Sequence, residues 1–311
     1  MPEFTAPDVT IPQTGPEDPR VGALLARRVA EGATPRAVIV GFPSDEGVRR
    51  NGGRVGAAGA PDRIRRVLYR LTPDAEAPEP FTRLIQETTD LGNLVVTDDV
   101  ERDQAALGEA LEPYVATGTF VILLGGGHET SYGHFLGYAR AERDVRIVNV
   151  DAHPDVRPVN SAGAHSGSPF RQALLDPSGR CRGYTVAGLR PQCVATAHLA
   201  FIAEHGGRVI WGRDLDEAGA ARLYDGPGPV LATFDMDAVN AAEAPGVSAP
   251  SCDGLRAGTW LSAALAAGRS PAVSSMDIVE VNPTVDQDAR TERLAALTVW
   301  TVLKGLAGRG P

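Results

Sequence analysis

The chain is poor in cysteine: three in 311 residues, Cys181, Cys193 and Cys252, with no C-x-x-C spacing and no even set. That argues against a disulfide framework and against a thiolate metal site, and predicts three free thiols. Long apolar runs are also missing. The longest stretches, such as Phe120 to Leu124, are far too short to cross a membrane. Positive charge is in deficit as well, with 30 Lys and Arg against 39 Asp and Glu and a net charge of −9. Nucleic acid is thereby disfavoured as a partner, since phosphate binding needs a concentrated basic surface. The N-terminus carries acidic residues and prolines where a secretory signal would have a basic and then an apolar segment, so the expected location is cytoplasmic.

What is present is a regular alternation of apolar and amphipathic segments. Residues 1–35, rich in Pro, Gly, Asp and Thr without periodicity, read as an extended N-terminal arm, and residues 36–311 as a single catalytic domain. AVIVGF at 37–42 predicts a first strand, and Pro61 opens an amphipathic helix, DRIRRVLYRL. A helix near 101–116, a strand ending at Leu124, a helix from about Ser131 to Glu142 and a strand ending at Val150 follow. Further strands fall at YTVAGL, RVIW, PVLATF and AVSSMDIVEV, and a long helix spans about 287–306. Strands and helices alternating at these lengths predict an α/β fold with a mostly parallel sheet covered on both faces. In such sheets ligands gather beyond the carboxyl ends of the strands.

Six side chains suited to metal binding lie there. VILLGGGHE, VRIVNVDAHPD and VLATFDMD place His128, Asp151, His153, Asp155, Asp235 and Asp237 where strands run out. In DAHPD, alternate side chains of an extended segment point the same way, so Asp151, His153 and Asp155 converge while Ala152 and Pro154 face elsewhere. FDMD repeats the pattern. Four carboxylates in one crevice would repel one another, which calls for cations among them. Oxygen-rich ligation with two imidazoles suits a pair of divalent ions, manganese first, with magnesium, nickel and zinc as rivals. The glycine run before His128 lacks both the Gly-Lys-Ser/Thr ending of a phosphate loop and the spacing of a dinucleotide fingerprint. Glu129 is expected to orient His128 or the following helix, and Glu280, beyond Asp277 on its strand, to hold a substrate cation.

GGGHE, DAHPD, FDMD and DIVEVNP, in that order, resemble the manganese-dependent ureohydrolases, the family of arginase, agmatinase and formimidoylglutamase. The resemblance implies a three-layer arginase-like fold and two Mn²⁺ per subunit. It implies one ion held by His128, Asp151, Asp155 and Asp235, and the other by Asp151, His153, Asp235 and Asp237, with Asp151 and Asp235 bridging. It also implies a small-molecule amidine substrate and a homo-oligomer, a trimer or hexamer. The weaker motifs DEGVRRNGGRVGAAGAP, DVRP, SGSPFRQ and APGVSAP look most like formimidoylglutamase, which implies cleavage of N-formimidoyl-L-glutamate to L-glutamate and formamide. The alternative is another guanidino or amidino hydrolase: an arginase, an agmatinase or a guanidino-acid hydrolase.

A dianionic substrate wants arginines, and the expected substrate-binding set is Arg157, Asn160, Arg49 and Arg54. Arg50 is a further candidate on the same loop, with a surface ion pair as its alternative role. The expected catalytic residues are Asp155, which relays a proton, Glu280, which holds the amidinium, and His165. At this last place the sequence departs from the arginase pattern of His before Gly, so the shuttle lies with either His165 or Ser166. Asn240 stands where many relatives carry an acidic residue.

Overall fold

The computed structural model describes residues 2–25 and 34–309. Its centre is a nine-stranded sheet: β1 (Phe4–Thr5), β2 (Ala37–Phe42), β3 (Thr88–Leu94), β4 (Phe120–Gly125), β5 (Val145–Val150), β6 (Cys181–Leu189), β7 (Arg208–Trp211), β8 (Val230–Asp235) and β9 (Val273–Val279). The order across the sheet is β1-β3-β2-β4-β9-β8-β5-β6-β7, and every pairing is parallel except β1 with β3. After β4 the chain jumps to β5 and runs out to β7. It then returns to lay β8 and β9 into the gap between β4 and β5. The four central strands therefore come from distant parts of the sequence, and their carboxyl ends meet at one edge.

Alternation along the strands divides the interior into two cores, as a period of two requires. Ala37 and Ile39 of β2 and Phe120, Ile122 and Leu124 of β4 face one layer. That layer comprises α1 (Val21–Leu25), α3 (Ala60–Leu68), α4 (Pro78–Gln86), α10 (Ala257–Arg269) and α11 (Arg290–Ala307). Between α1 and α3 lies α2 (Glu46–Arg50). Val38, Val40, Phe42, Val121 and Leu123 face the opposite layer, with α5 (Val100–Thr117), α6 (Thr130–Arg140), α7 (Pro169–Leu174) and α8 (Thr196–Glu204). The remaining helix, α9 (Glu217–Ala220), packs on α10. This is the three-layer α/β architecture expected. No helix among the described residues is long and apolar enough to cross a membrane.

Part of the leader departs from an extended arm. Phe4–Thr5 forms the edge strand β1 alongside β3, and α1 buries Val21, Leu24 and Leu25 in the first core. Apolar contact explains the second feature, because residues 21–25 supply a short aliphatic face in an otherwise polar segment. Residues 26–33 of that leader, and 310 and 311, lie outside the described residues.

Candidate metal centre

Each expected ligand sits just past a strand end. His128 follows β4, Asp151, His153 and Asp155 follow β5, and Asp235 and Asp237 close β8. Glu280 follows β9. The turn that delivers His128 needs a glycine at 126, since a Cβ there would lie 1.9 Å from the Ser44 carbonyl oxygen. The backbone carbonyl of Gly126 accepts from the Glu280 amide at 2.8 Å, and Glu280 Oε1 accepts from the His128 amide at 2.9 Å. The glycine run thus braces the ends of β4 and β9 against each other.

Two groups of ligand atoms lie within 4.8 Å of one another: His128, Asp151, Asp155 and Asp235 in the first, and Asp151, His153 and Asp237 in the second. His128 Nδ1 is 2.9 Å from Asp155 Oδ2, 2.9 Å from Asp235 Oδ2 and 3.4 Å from Asp151 Oδ2, yet it aligns with none of them as a hydrogen bond. A buried ring nitrogen surrounded by three carboxylate oxygens without a hydrogen bond is the arrangement expected of lone pairs directed at a common ion. His153 Nδ1 is 3.0 Å from Asp237 Oδ2 and 3.6 Å from Asp151 Oδ1. Asp235 differs from expectation in the second group. Its Oδ1 accepts from the Asp237 amide at 2.8 Å, as Asp151 Oδ1 accepts from the His153 amide at 2.6 Å. Both D-x-D/H pairs are therefore held by the same local turn.

The surrounding residues fix the loop that carries three of these ligands. Asn149 Nδ2 donates to Asp151 Oδ2 at 2.9 Å, and the Tyr184 hydroxyl donates to the Pro154 carbonyl at 2.6 Å. Phe170 stacks on Tyr184 and meets the His128 ring edge-on at 5.1 Å. Asp155 and Glu280 both adopt left-handed backbone conformations, with φ of 42° and 65°. Neither residue is glycine, so each stores strain, and the loops around them hold it in place.

Burial and neighbouring charges shift several of these groups. Burial, together with Asp237 and Asp151, pushes the Asp235 carboxyl well above the carboxylate range. Burial pushes Asp237 up to about 7. Glu280 rises well above its ordinary value through burial and the nearby Asp235 and Glu129. His153 is raised, first by the charge of Asp237, and His128 is raised by Asp155 and Asp235 against the opposing effect of burial. Asp151 is lowered, because His153 and His128 outweigh its burial. The donor set, two imidazoles among carboxylates, fits hard to borderline divalent ions.

The cluster opens into a cavity of about 290 Å³ lined by His153, Asp155, Asp235, Asp237 and Glu280 on the floor. Asn51, Gly52, Gly53, Arg157, Ser166, Ser248 and Ala249 complete the lining. Of the expected substrate-binding set, only Arg157 lines it, with Nη1 donating to Asn51 Oδ1 at 3.1 Å. Arg49 points to solvent and pairs with Glu46 one turn earlier. Arg54 spends its guanidinium on the backbone carbonyls of Val247 and Ser248. Asn160 is exposed and bonds to the Arg50 carbonyl and the Ala162 amide. Arg50 is tied to Glu46 and Glu101.

His165 is likewise turned away from the cavity. Its Nε2 meets the Pro158 carbonyl at 3.0 Å and its Nδ1 accepts from the Gly167 amide at 3.1 Å, so both ring nitrogens hold the loop. Ser166, one residue on, faces the cavity and takes a hydrogen bond from Asn51 Nδ2. Asn51 and Ser248 both lie in motifs that carry the resemblance, but as small uncharged side chains they have no signal of their own beside the arginines of those motifs. Glu129 reaches the Gly47 amide rather than the His128 ring, and Asn240 caps the turn ending at Cys252.

Comparison with known proteins agrees with this geometry. The arginase family model matches residues 35–304. A formimidoylglutamase of Chromobacterium violaceum is 34% identical over 288 residues, covering 89% of this chain and 90% of the relative. One of Rhodococcus jostii is 36% identical over 291 residues, covering 88% and 87%. Among solved structures, Trypanosoma cruzi formiminoglutamase with Mn²⁺ superposes with a TM-score of 0.85 at 32% identity, over 94% of this chain and all of the other. Sheet order, ligand clusters and similarity along nearly the whole chain agree: this protein belongs to the arginase family.

Proposed function

We propose that the protein hydrolyses N-formimidoyl-L-glutamate to L-glutamate and formamide with two Mn²⁺ per subunit. The observation that carries this reading is the pair of ligand groups sharing Asp151 at the floor of a cavity whose one arginine is Arg157. His128, Asp151, Asp155 and Asp235 would hold one ion. Asp151, His153 and Asp237 would hold the other, with Asp235 as a further shared ligand. A bound pair of divalent ions supplies a water acidic enough to furnish hydroxide near neutral pH.

The chain's own residues do the rest. Glu280, buried and anionic when ions are present, attracts the amidinium and orients it by charge-assisted hydrogen bonds. Arg157, held by Asn51, takes a substrate carboxylate at the cavity wall, and Ser166 and Ser248 offer hydroxyl donors beside it. The carbon–nitrogen bond to glutamate breaks as a carbon–oxygen bond forms. The Asp155 carboxylate receives a proton released in attack and delivers it to the departing nitrogen. Water thus ends as the oxygen of formamide and the protons of the two products.

The test is a substrate panel on manganese-loaded protein: N-formimidoyl-L-glutamate, arginine, agmatine and guanidinobutyrate. Selective release of glutamate is expected. Release of urea from a guanidino compound would keep the metal centre and overturn the role of Arg157.

A further inference from the structure

Behind His128, on the side away from the cavity, lies a run of polar side chains that the chemistry above does not use. His128 Nε2 is 3.0 Å from Thr233 Oγ1, and Thr233 Oγ1 is 3.3 Å from Ser131 Oγ. Ser131 Oγ donates to Asp277 Oδ2 at 3.1 Å, and His134 Nδ1 lies 2.8 Å from the same oxygen. Thr233, Ser131, Asp277 and His134 are at most 1% exposed. Thr233 and Asp277 are direct partners in the β8–β9 register, and Ser131 and His134 stand one turn apart on α6. They sit in strand and helix interiors where aliphatic side chains would cost less to bury.

Hydrogen-bond chemistry gives the run a direction. Asp277 is a carboxylate that accepts from both sides, so the Ser131 hydroxyl points toward it and Ser131 Oγ is left to accept from the Thr233 hydroxyl. Thr233 Oγ1 in turn is left to accept, and the group facing it is His128 Nε2. The proton of the His128 ring is therefore drawn to Nε2, and the lone pair is drawn to Nδ1, the atom facing Asp151, Asp155 and Asp235.

We propose that Asp277, through Ser131 and Thr233, is a positioning residue that fixes the tautomer and ring orientation of His128 for the first metal ion. This rests on the reading of His128 as a ligand. Outer hydrogen-bond partners of ligating imidazoles change metal affinity by 10- to 100-fold when removed. The effect falls chiefly on one ion of the two, because the run ends on His128, which belongs to the first group and not to the second, Asp151, His153 and Asp237.

The experiment is Mn²⁺ titration of chelator-stripped protein by calorimetry, with the electron spin resonance of the loaded protein separating a coupled pair of ions from an isolated one. Thr233→Val, which removes the acceptor but keeps the shape, is expected to weaken one ion by roughly 10- to 100-fold, leave the other, and replace the pair signal by an isolated-ion signal at limiting Mn²⁺. Thr233→Ser restores the pair, and Asp277→Leu, which removes the acceptor, behaves as Thr233→Val. A purely structural role would lower the melting temperature and leave both affinities unchanged, and that result overturns the proposal. Should Thr233→Val fail to fold, Ser131→Ala interrupts the run from α6, and wild-type affinities in that variant overturn it equally. Wild-type protein that takes up no Mn²⁺ would remove the ligand reading itself, and this inference with it.

Discussion

Arg65 and Asp90, between α3 and β3, are a buried charge pair completed by the chain itself. Arg65 is wholly buried, yet its Nε and Nη2 meet the two oxygens of Asp90 at 2.8 and 2.9 Å. Its remaining donors reach Asn93 Oδ1 and the Gly92 carbonyl, and the Tyr69 hydroxyl donates to Asp90. At the ends of β4, β5 and β8 the chain gathers the buried Asp151, Asp235 and Asp237 and the half-buried Asp155 around two imidazoles, with Arg157 at the cavity wall as the one lining arginine. Burial raises Asp235 and Asp237, and Asp237 Oδ1 has no hydrogen-bond partner. Unpaired buried charge costs far more than a matched pair. One cluster is complete as folded, whereas the other is complete only with cations added. That contrast, more than the amount of buried charge, separates a structural polar cluster from a functional one.

The contrast is open to experiment at four points. Asp235→Ala removes a residue common to the expected coordination spheres and should abolish Mn²⁺ pairing and turnover together; near-normal turnover would refute the assignment. Arg65→Ala strands Asp90 without its partner and should cost roughly 3–5 kcal/mol of stability in urea unfolding, while the folded protein keeps its Mn²⁺ stoichiometry. Lost metal binding in a folded Arg65→Ala variant would mean the two regions are not independent.

Glu129 sharpens the comparison through pH. Burial raises its carboxyl from 4.5 to about 7, so the folded metal-free protein holds a proton that the unfolded chain releases. Its contribution to stability is full below pH 4.5 and is lost as pH rises through 7. The loss is on the order of 3 kcal/mol. In Glu129→Gln, which keeps an acceptor for the Gly47 amide, that part of the pH dependence should vanish; identical stability curves for the two proteins would exclude it. The smallest effect is expected of Arg157→Ala, where KM for N-formimidoyl-L-glutamate should rise about 10- to 100-fold with little change in kcat. An unchanged KM would remove Arg157 from the carboxylate site.

Much of the architecture is legible from periodicity. AVIVGF coincides with β2, and the predicted helices near 101–116 and 287–306 overlie α5 and α11. Strand β3 is not legible. TTDLGNL lacks an apolar run because Asp90 and Asn93 serve Arg65, and Gly92 takes φ 86° where a Cβ would meet the Thr5 carbonyl oxygen at 2.1 Å. The expected ligands were readable because alternation at a strand end fixes which side chains converge. The cavity wall was not. Charge suggests Arg49 and Arg54, but Glu46, one turn earlier on α2, claims the first, and two carbonyls distant in sequence claim the second, which no pattern along the chain reveals. His165 and Ser166 differ by one residue, enough to face opposite sides of the loop.

The most direct test of the central claim is a count of the Mn²⁺ bound by chelator-stripped protein, read with the melting temperature at each addition. A cluster completed by cations predicts two ions per chain, proton release as they bind and a rise in melting temperature that saturates at the second ion. Protein that binds no Mn²⁺, or whose stability ignores it, would contradict the account.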